Sequence, residues 1–412
     1  MEASLYVHVP FCLGKKCDYC DFYSVPANSY DEILTAYVDT VLMEASRLLK
    51  KYSPEGIPTL YIGGGTPSIL GAAGIRHLLD RLLELIRRFS PSPVEITVEA
   101  NPESASEAFL AAVCEGGATR LSLGVQSLHR PSREAVGRSG DESGLLEKLR
   151  LAASYFPDSL SVDILSGLPL QSEDILYGDI AALLSCKPAH VSLYSLTIED
   201  ETPLALHSED FFQNQDEADQ LWIYGRDLLE KAGYSQYEIS NFSRPGKESI
   251  HNIRYWRMQS WLALGPAASG TIIREENAAT TASAIAAAAR YTIPPNLNAW
   301  LNAGGCVFSS EPSLAPIEEK LDAITLIKET ILMGYRFIEG PDEKLFFRRF
   351  NKHIEDIIPK TLTDRRERGL LRKDRNALTK EGLLFLNSFV LDAFRELDAH
   401  GSLNEFFPVL NK

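Results

Sequence analysis

The sequence predicts an α/β fold: a partial (β/α)6 barrel of the TIM type, followed by a mostly helical, winged-helix-like C-terminal region. Three observations predict it. Short apolar runs alternate with longer amphipathic stretches through the first 235 residues. Residues suited to chemistry fall just after those runs, where the C-terminal ends of parallel strands would lie. From about residue 313 the periodicity is mostly helical.

The first strand is expected at Leu5–Val9, ending at Pro10. A helix follows over roughly residues 30–51, with Leu34, Val38, Leu42 and Ala45 on one face. The second strand, Thr59–Ile62, runs into G-G-G-T-P, and its helix repeats Ile75, Leu78, Leu79, Leu82, Leu83 and Ile86 at helical spacing. Further strands are expected at Val94–Glu99, Arg120–Gln126, Leu160–Leu165 and His190–Ser195, with a helix over 216–232. Such alternation gives a parallel sheet under helices, and right-handed crossovers curl it toward a barrel. After about residue 235 the pattern changes to the aromatic H-N-I-R-Y-W, an alanine-rich stretch over 278–289 and a break at Pro294. Near the end, L-L-R-K-D-R-N-A-L-T-K-E-G reads as an apolar pair, a polar turn and a helix start, the pattern of a wing and final helix.

Composition is that of a globular protein, 45% hydrophobic and 24% charged. No apolar run is long enough to span a membrane. The start, M-E-A-S-L-Y-V-H-V-P, lacks a basic segment and a long apolar one, so the expected location is cytoplasmic. A net charge of −15 argues against a nucleic-acid partner, because phosphate contacts need a basic surface. The basic run Arg365–Arg375 is expected to be a solvated wing surface, which makes any membrane contact peripheral at most.

Three of the six cysteines, Cys12, Cys17 and Cys20, lie within nine residues. Cys114, Cys186 and Cys306 are scattered and read as small structural hydrophobes. Cytoplasmic thiols stay reduced, so the crowded loop reads as metal-binding. A structural zinc site takes four protein ligands. This loop offers three, and the nearby His8 lies on a strand with its facing undetermined. A four-iron cluster held by three thiolates instead leaves one iron open to a small molecule. Spacing alone leaves both readings standing. S-adenosylmethionine suits the open iron: its amino and carboxylate groups chelate, and an electron from the cluster cleaves its carbon–sulfur bond to a radical.

The sequence resembles the radical S-adenosylmethionine superfamily, and more closely its HemN/HemW group of oxygen-independent coproporphyrinogen oxidase-like proteins. The resemblance rests on Y-V-H-V-P-F-C…C-D-Y-C-D-F-Y-S, G-G-G-T-P-S, V-E-A-N-P-E-S, R-L-S-L-G-V-Q-S, V-D-I-L-S-G-L-P-L-Q-S, L-Y-S-L-T-I-E, Y-E-I-S-N-F and H-N-I-R-Y-W, in family order over about residues 5–270, with L-T-K-E-G-L-L-F-L-N as a tail match. It implies a radical SAM core barrel over 1–235, a group-specific extension and linker over 236–312 and a winged-helix-like domain over 313–412. It implies a [4Fe-4S] cluster on Cys12, Cys17 and Cys20. It also implies S-adenosylmethionine contacts at Tyr6, Tyr19, Gly64, Gly65, Thr66, Glu99, Gln126, Arg138 and Asp163. Arg138 suits the cofactor carboxylate through a charge-assisted pair.

Departures from the family pattern narrow what the resemblance implies. The family reads C-x3-C-x2-C; here one extra residue separates Cys12 from Cys17, and Gly14 is expected to let the loop bulge around it. If the loop does not absorb it, the chain is a degenerate member without a cluster. Gly140 stands where relatives carry His, and Ala267 and Ser269 where they read Gly and His. The oxidase branch has a further Cys where this chain has Phe22, and an N-terminal extension before its first strand. The resemblance therefore implies the HemW type, a haem chaperone passing haem to apoproteins, with coproporphyrinogen III oxidation as the alternative; whether the chain is an enzyme stays open. His251 of H-N-I-R-Y-W is the candidate haem ligand, with a hydrogen-bonded core histidine as the other reading of the same residue.

Overall fold

The computed structural model describes residues 1–28, 31–91, 93–206, 215–274, 287–305 and 315–399. Cys306 and most of the alanine-rich stretch lie outside them.

Six parallel strands form the centre of the sheet: Ser4–Val9, Thr59–Gly64, Glu95–Ala100, Arg120–Gln126, Leu160–Ser166 and His190–Ser195. They neighbour one another in chain order. Their side chains alternate, as strand geometry requires. Leu5, Val7, Leu60, Ile62, Val98, Leu121, Leu123 and Val162 are buried apolar residues. The residues between them, such as Tyr6, His8, Tyr61, Glu99, Ser122 and Asp163, share hydrogen bonds or charge coupling on the other face. The helices Glu32–Tyr52 and Gly71–Ile86 bury their expected stripes, including Leu34 and Val38 on the first and Leu78, Leu79 and Leu82 on the second. Each such leucine contributes about 2 kcal/mol on burial. Later helices begin at Ser106, Asp141 and Ser172, whose side chains accept a backbone N–H of the first turn and fix where each loop stops.

The sheet does not stop at six strands. Trp261–Leu264 adds in parallel beside Ser4–Val9, and Ser269–Arg274, Ala287–Thr292 and Ile317–Leu321 follow antiparallel. On the far side Asn241–Ser243 and Ser235–Gln236 continue antiparallel from His190–Ser195. The result is a twelve-stranded open sheet whose edge strands do not pair with each other among the described residues. The added strands escape a sequence reading because A-A-A-R-Y-T and I-E-E-K-L have weak strand propensity and no clean alternation.

The C-terminal helices pack around Tyr335, Phe346, Phe350 and Phe389, and their core includes Met258, Ile273 and Ala288 from the sheet side. An antiparallel bridge joins Leu371 to Leu378 across the polar turn. Thr379 then accepts the Gly382 N–H at 3.0 Å and starts the helix Lys380–Leu383, where a Cβ on Gly382 would strike the Leu370 carbonyl. No helix among the described residues is long and apolar enough to cross a membrane.

Candidate functional site

The cysteine loop leaves the first strand at Pro10. Cys12 sits on a short strand, Phe11–Leu13, paired with Val25–Ala27, and its thiol lies 3.3 Å from the Ser24 hydroxyl. Cys17 and Cys20 share a turn in which the Cys20 N–H donates to the Cys17 carbonyl at 3.2 Å. Between them and Cys12, Gly14 adopts φ +71°, with open space where a Cβ would point. Gly14 turns the loop outward within the segment that separates Cys12 from Cys17. Burial pushes the Cys20 thiol up to about 11. The three thiols are gathered in one loop, but among the described residues no three His, Cys, Asp or Glu side chains close around a single point. His8 supplies no fourth donor. Its Nε2–H donates to the Tyr23 carbonyl at 2.9 Å, so Nδ1 accepts from the Tyr6 hydroxyl at 3.0 Å.

Arg138 connects the loop to the strand ends. Its Nη1 lies 3.7 Å from the Cys17 sulfur and 3.3 Å from the Tyr19 hydroxyl. Its Nη2 donates to the Gly124 carbonyl at 2.9 Å and to Asn101 Oδ1 at 3.3 Å. Burial works against the charged guanidinium, but Tyr19, Cys17 and Glu103 outweigh it and hold its pKa above the ordinary value. Burial likewise pushes the Tyr19 phenol up to about 12. Asn101 Nδ2 donates to Thr66 Oγ1 at 3.0 Å, so one chain of bonds runs from the second strand's turn to the cysteine loop. Cys12, Cys17, Asn101, Glu103 and Arg138 line a cleft of about 280 Å³.

Two carboxylates lie deeper in the barrel. Glu99 accepts from the Tyr61 hydroxyl at 2.6 Å and from the Gly64 N–H at 3.1 Å. Asp163 takes the Ser122 hydroxyl at 3.2 Å. Burial raises Glu99 to about 7 and Asp163 to about 6. Gln126 ends its strand with φ +67°, next to a register shift at Gly124. Gly124 is pinched between the amides of Asn101 and Gln126, each 3.0 Å from where its Cβ would stand.

The glycine run has a protein-packing reason. A Cβ on Gly63 would strike Glu99, one on Gly64 would strike the His8 ring, and one on Gly65 would strike the Phe11 carbonyl. The backbone of the second strand approaches the first strand and its loop too closely for any side chain.

The structure therefore brings Tyr6, Tyr19, Gly64, Gly65, Thr66, Glu99, Gln126, Arg138 and Asp163 to the cysteine-loop end of one parallel sheet. His251 lies apart. It is buried, its ring 4.9 Å from that of Tyr61, and burial lowers its pKa to about 3. Thr59 gives its hydroxyl proton to Ser4, so His251 Nδ1–H donates to Thr59 at 2.8 Å and Nε2 accepts from Tyr255 at 3.1 Å. With both ring nitrogens bonded, the geometry is that of the core histidine rather than of an open iron ligand. Sequence reasoning passed over Asn101 and Glu103, which hold Arg138; the N-P-E triplet that contains Glu103 was their only signal.

A loop of three thiols, a guanidinium at one of them and buried carboxylates beneath define an iron–sulfur and nucleoside-cofactor protein. The buried, unpartnered Nε of Arg138 fits a cofactor anion in the same cleft. The Radical SAM superfamily model matches residues 6–178. The chain is 32% identical to "Radical S-adenosyl methionine domain-containing protein 1, mitochondrial" of Bos taurus over 96% of this chain and 88% of that protein. It is 30% identical to "Heme chaperone HemW" of Lactococcus lactis over 91% and 92%. The solved coproporphyrinogen III oxidase HemN of Escherichia coli superposes with a TM-score of 0.76 at 20% identity, covering 95% of this chain and 89% of that one. The chain is a radical SAM protein, a family whose members bind a [4Fe-4S] cluster and S-adenosylmethionine. Within that superfamily it belongs to the HemN/HemW group, on the HemW side.

Proposed function

We propose that this chain is a haem chaperone that binds haem and passes it to apoproteins in the cytoplasm. The observation behind this reading is the near full-length similarity to HemW proteins of Lactococcus lactis and Bacillus subtilis, both named haem chaperones. Cys12, Cys17 and Cys20 would hold the cluster, and Tyr6, Tyr19, Gly64, Gly65, Thr66, Glu99, Gln126, Arg138 and Asp163 the S-adenosylmethionine. When bound, the pair supplies one-electron chemistry at a carbon–sulfur bond. The chain's own part is positional: Arg138 offers a buried cation beside Cys17, and Glu99 and Asp163 offer acceptors below it. The extension over 236–312 would follow the core over 1–235 and continue its sheet, with the winged-helix-like domain over 313–412 beyond it.

Oxidation of coproporphyrinogen III is the second reading, favoured by the HemN-like fold and opposed by Phe22. One anaerobic experiment separates them. Reconstituted protein receives reductant, S-adenosylmethionine and coproporphyrinogen III, and a parallel sample is titrated with haem. Haem binding without porphyrinogen decarboxylation is expected. Loss of two carboxyl groups per porphyrinogen at a catalytic rate would make the chain an oxidase. Substitution of Cys17 by Ala is expected to abolish the iron and sulfide content of the reconstituted protein.

A further inference from the structure

Arg133 is fully buried. It lies on the short helix Arg130–Glu134, in the loop that follows the strand Arg120–Gln126. Every N–H of its guanidinium is engaged. Nη1 donates to the Val125 carbonyl and to the Ser127 carbonyl, the latter at 3.0 Å. Nε and Nη2 both donate to the Ser139 carbonyl, at 2.9 Å and 2.5 Å. Nη2 also donates to Glu103 Oε1 at 2.6 Å. The Arg133 carbonyl in turn accepts the Arg138 N–H at 2.9 Å.

These partners flank the two side chains that this loop offers to S-adenosylmethionine. Val125 and Ser127 stand on either side of Gln126, which turns with φ +67°. Arg133 and Ser139 hold the backbone on either side of Arg138. Glu103 ties the two guanidiniums together: one of its oxygens bonds Arg133, and the other lies 3.7 Å from Arg138 Nη2. A buried guanidinium is a poor device for stability, because an apolar side chain of similar size packs as well without the cost of desolvation. What its rigid fork supplies is geometry, since it holds several carbonyls of one loop at fixed distances from each other.

We propose that Arg133, joined to Glu103, is a positioning residue for Arg138: it sets where that guanidinium stands in the cofactor cleft. A lysine at 133 is a single point of charge and cannot reach both the Val125–Ser127 turn and the Ser139 carbonyl. One side of the loop is then released, and Arg138 with it. The inference rests on the assignment of Arg138 to S-adenosylmethionine above.

The test measures S-adenosylmethionine affinity by calorimetry on cluster-loaded wild type, Arg133→Lys, Arg138→Lys and the double variant. The electron paramagnetic resonance of the reduced cluster is recorded on each, with and without the cofactor. Expected for Arg133→Lys are a wild-type spectrum without cofactor and roughly tenfold weaker cofactor binding. In the Arg138→Lys background the same change is expected to cost less than about twofold, because the group it positions is already gone. Unchanged affinity in Arg133→Lys overturns the proposal. An equal loss in both backgrounds overturns it too, since Arg133 would then act without Arg138. So does an altered spectrum without cofactor, which would mean that the cysteine loop itself had shifted. Should Arg133→Lys not fold, Glu103→Ala takes its place: that side chain is a quarter exposed, and its loss removes the carboxylate between the guanidiniums. The same pattern in the two backgrounds is expected, and its absence overturns the clamp equally. Wild-type affinity in Arg138→Lys would instead remove the cofactor assignment of Arg138, and the clamp with it.

Discussion

The guanidinium of Arg138 lies 3.7 Å from the sulfur of Cys17, across 121 residues of sequence. The same group bonds the Tyr19 hydroxyl, the Gly124 carbonyl and Asn101. A lysine ammonium cannot span these partners in one plane. Arg138→Lys is therefore expected to weaken S-adenosylmethionine binding at least tenfold, about 1.4 kcal/mol, while the three cysteines keep their iron. Calorimetric titration beside an iron assay checks both halves, and unchanged affinity would remove Arg138 from the cofactor site.

Glu99 makes stability depend on pH in an unusual direction. Its folded pKa is raised to about 7 by burial, from 4.5. Folding thus favours the neutral acid, and stability falls as pH rises through the interval from 4.5 to about 7. Asp163, raised to about 6, adds to the same slope. Melting temperatures of the cofactor-free protein should decline between pH 5 and pH 8, and Glu99→Gln should flatten that decline. A parallel decline in the variant would assign the slope elsewhere.

His251 acts with the opposite sign. Its folded pKa is lowered to about 3 by burial, against 6.5 unfolded. Its contribution is complete above pH 6.5 and is lost as pH falls toward 3. Replacement by Ala leaves the Tyr255 hydroxyl without its acceptor, leaves Thr59 with its Ser4 bond alone and opens a small cavity, at a cost of about 3 kcal/mol. Haem affinity, measured below the variant's melting temperature, is expected to survive. Its loss from a folded variant would restore His251 as the ligand.

Ala267 adopts φ +65°, a left-handed conformation that glycine takes at less cost. Ala267→Gly removes a left-handed alanine and should stabilise the chain by about 1 kcal/mol. A differential scan of the two proteins decides it; a lower melting temperature would show that the Ala267 methyl group packs usefully.

The parallel core was legible because each of its strands is a compact apolar run ending near a Gly, Pro or polar residue. The cysteine loop was legible from spacing, and Glu99 and Gln126 from their place near strand ends, whereas Asp163 sits in the middle of Leu160–Ser166. What escaped depends on long-range contacts. The strand Ala287–Thr292 has no apolar alternation, and it is a strand because Ser269–Arg274 and Ile317–Leu321 flank it. The second nitrogen of His251 is engaged by Tyr255, but the first by Thr59, 192 residues away. The resemblance marks Gly64 and Gly65 as cofactor contacts; the crowding of the glycine run by His8, Phe11 and Glu99 comes from distant parts of the chain and is not legible locally.

The strand Ile317–Leu321 ends one side of the twelve-stranded sheet, and its Glu318, Glu319 and Lys320 are exposed. Among the described residues no further strand pairs with its outer edge, and an open row of backbone donors and acceptors on so wide a sheet invites another chain to add a strand. A second copy arriving in parallel register would set Glu318, Glu319 and Lys320 each against its own copy, like charge on like. The same poor alternation that hides this strand from a sequence reader therefore guards the protein against self-templated aggregation. Neutralising Glu318 and Glu319 would expose that hazard at high concentration.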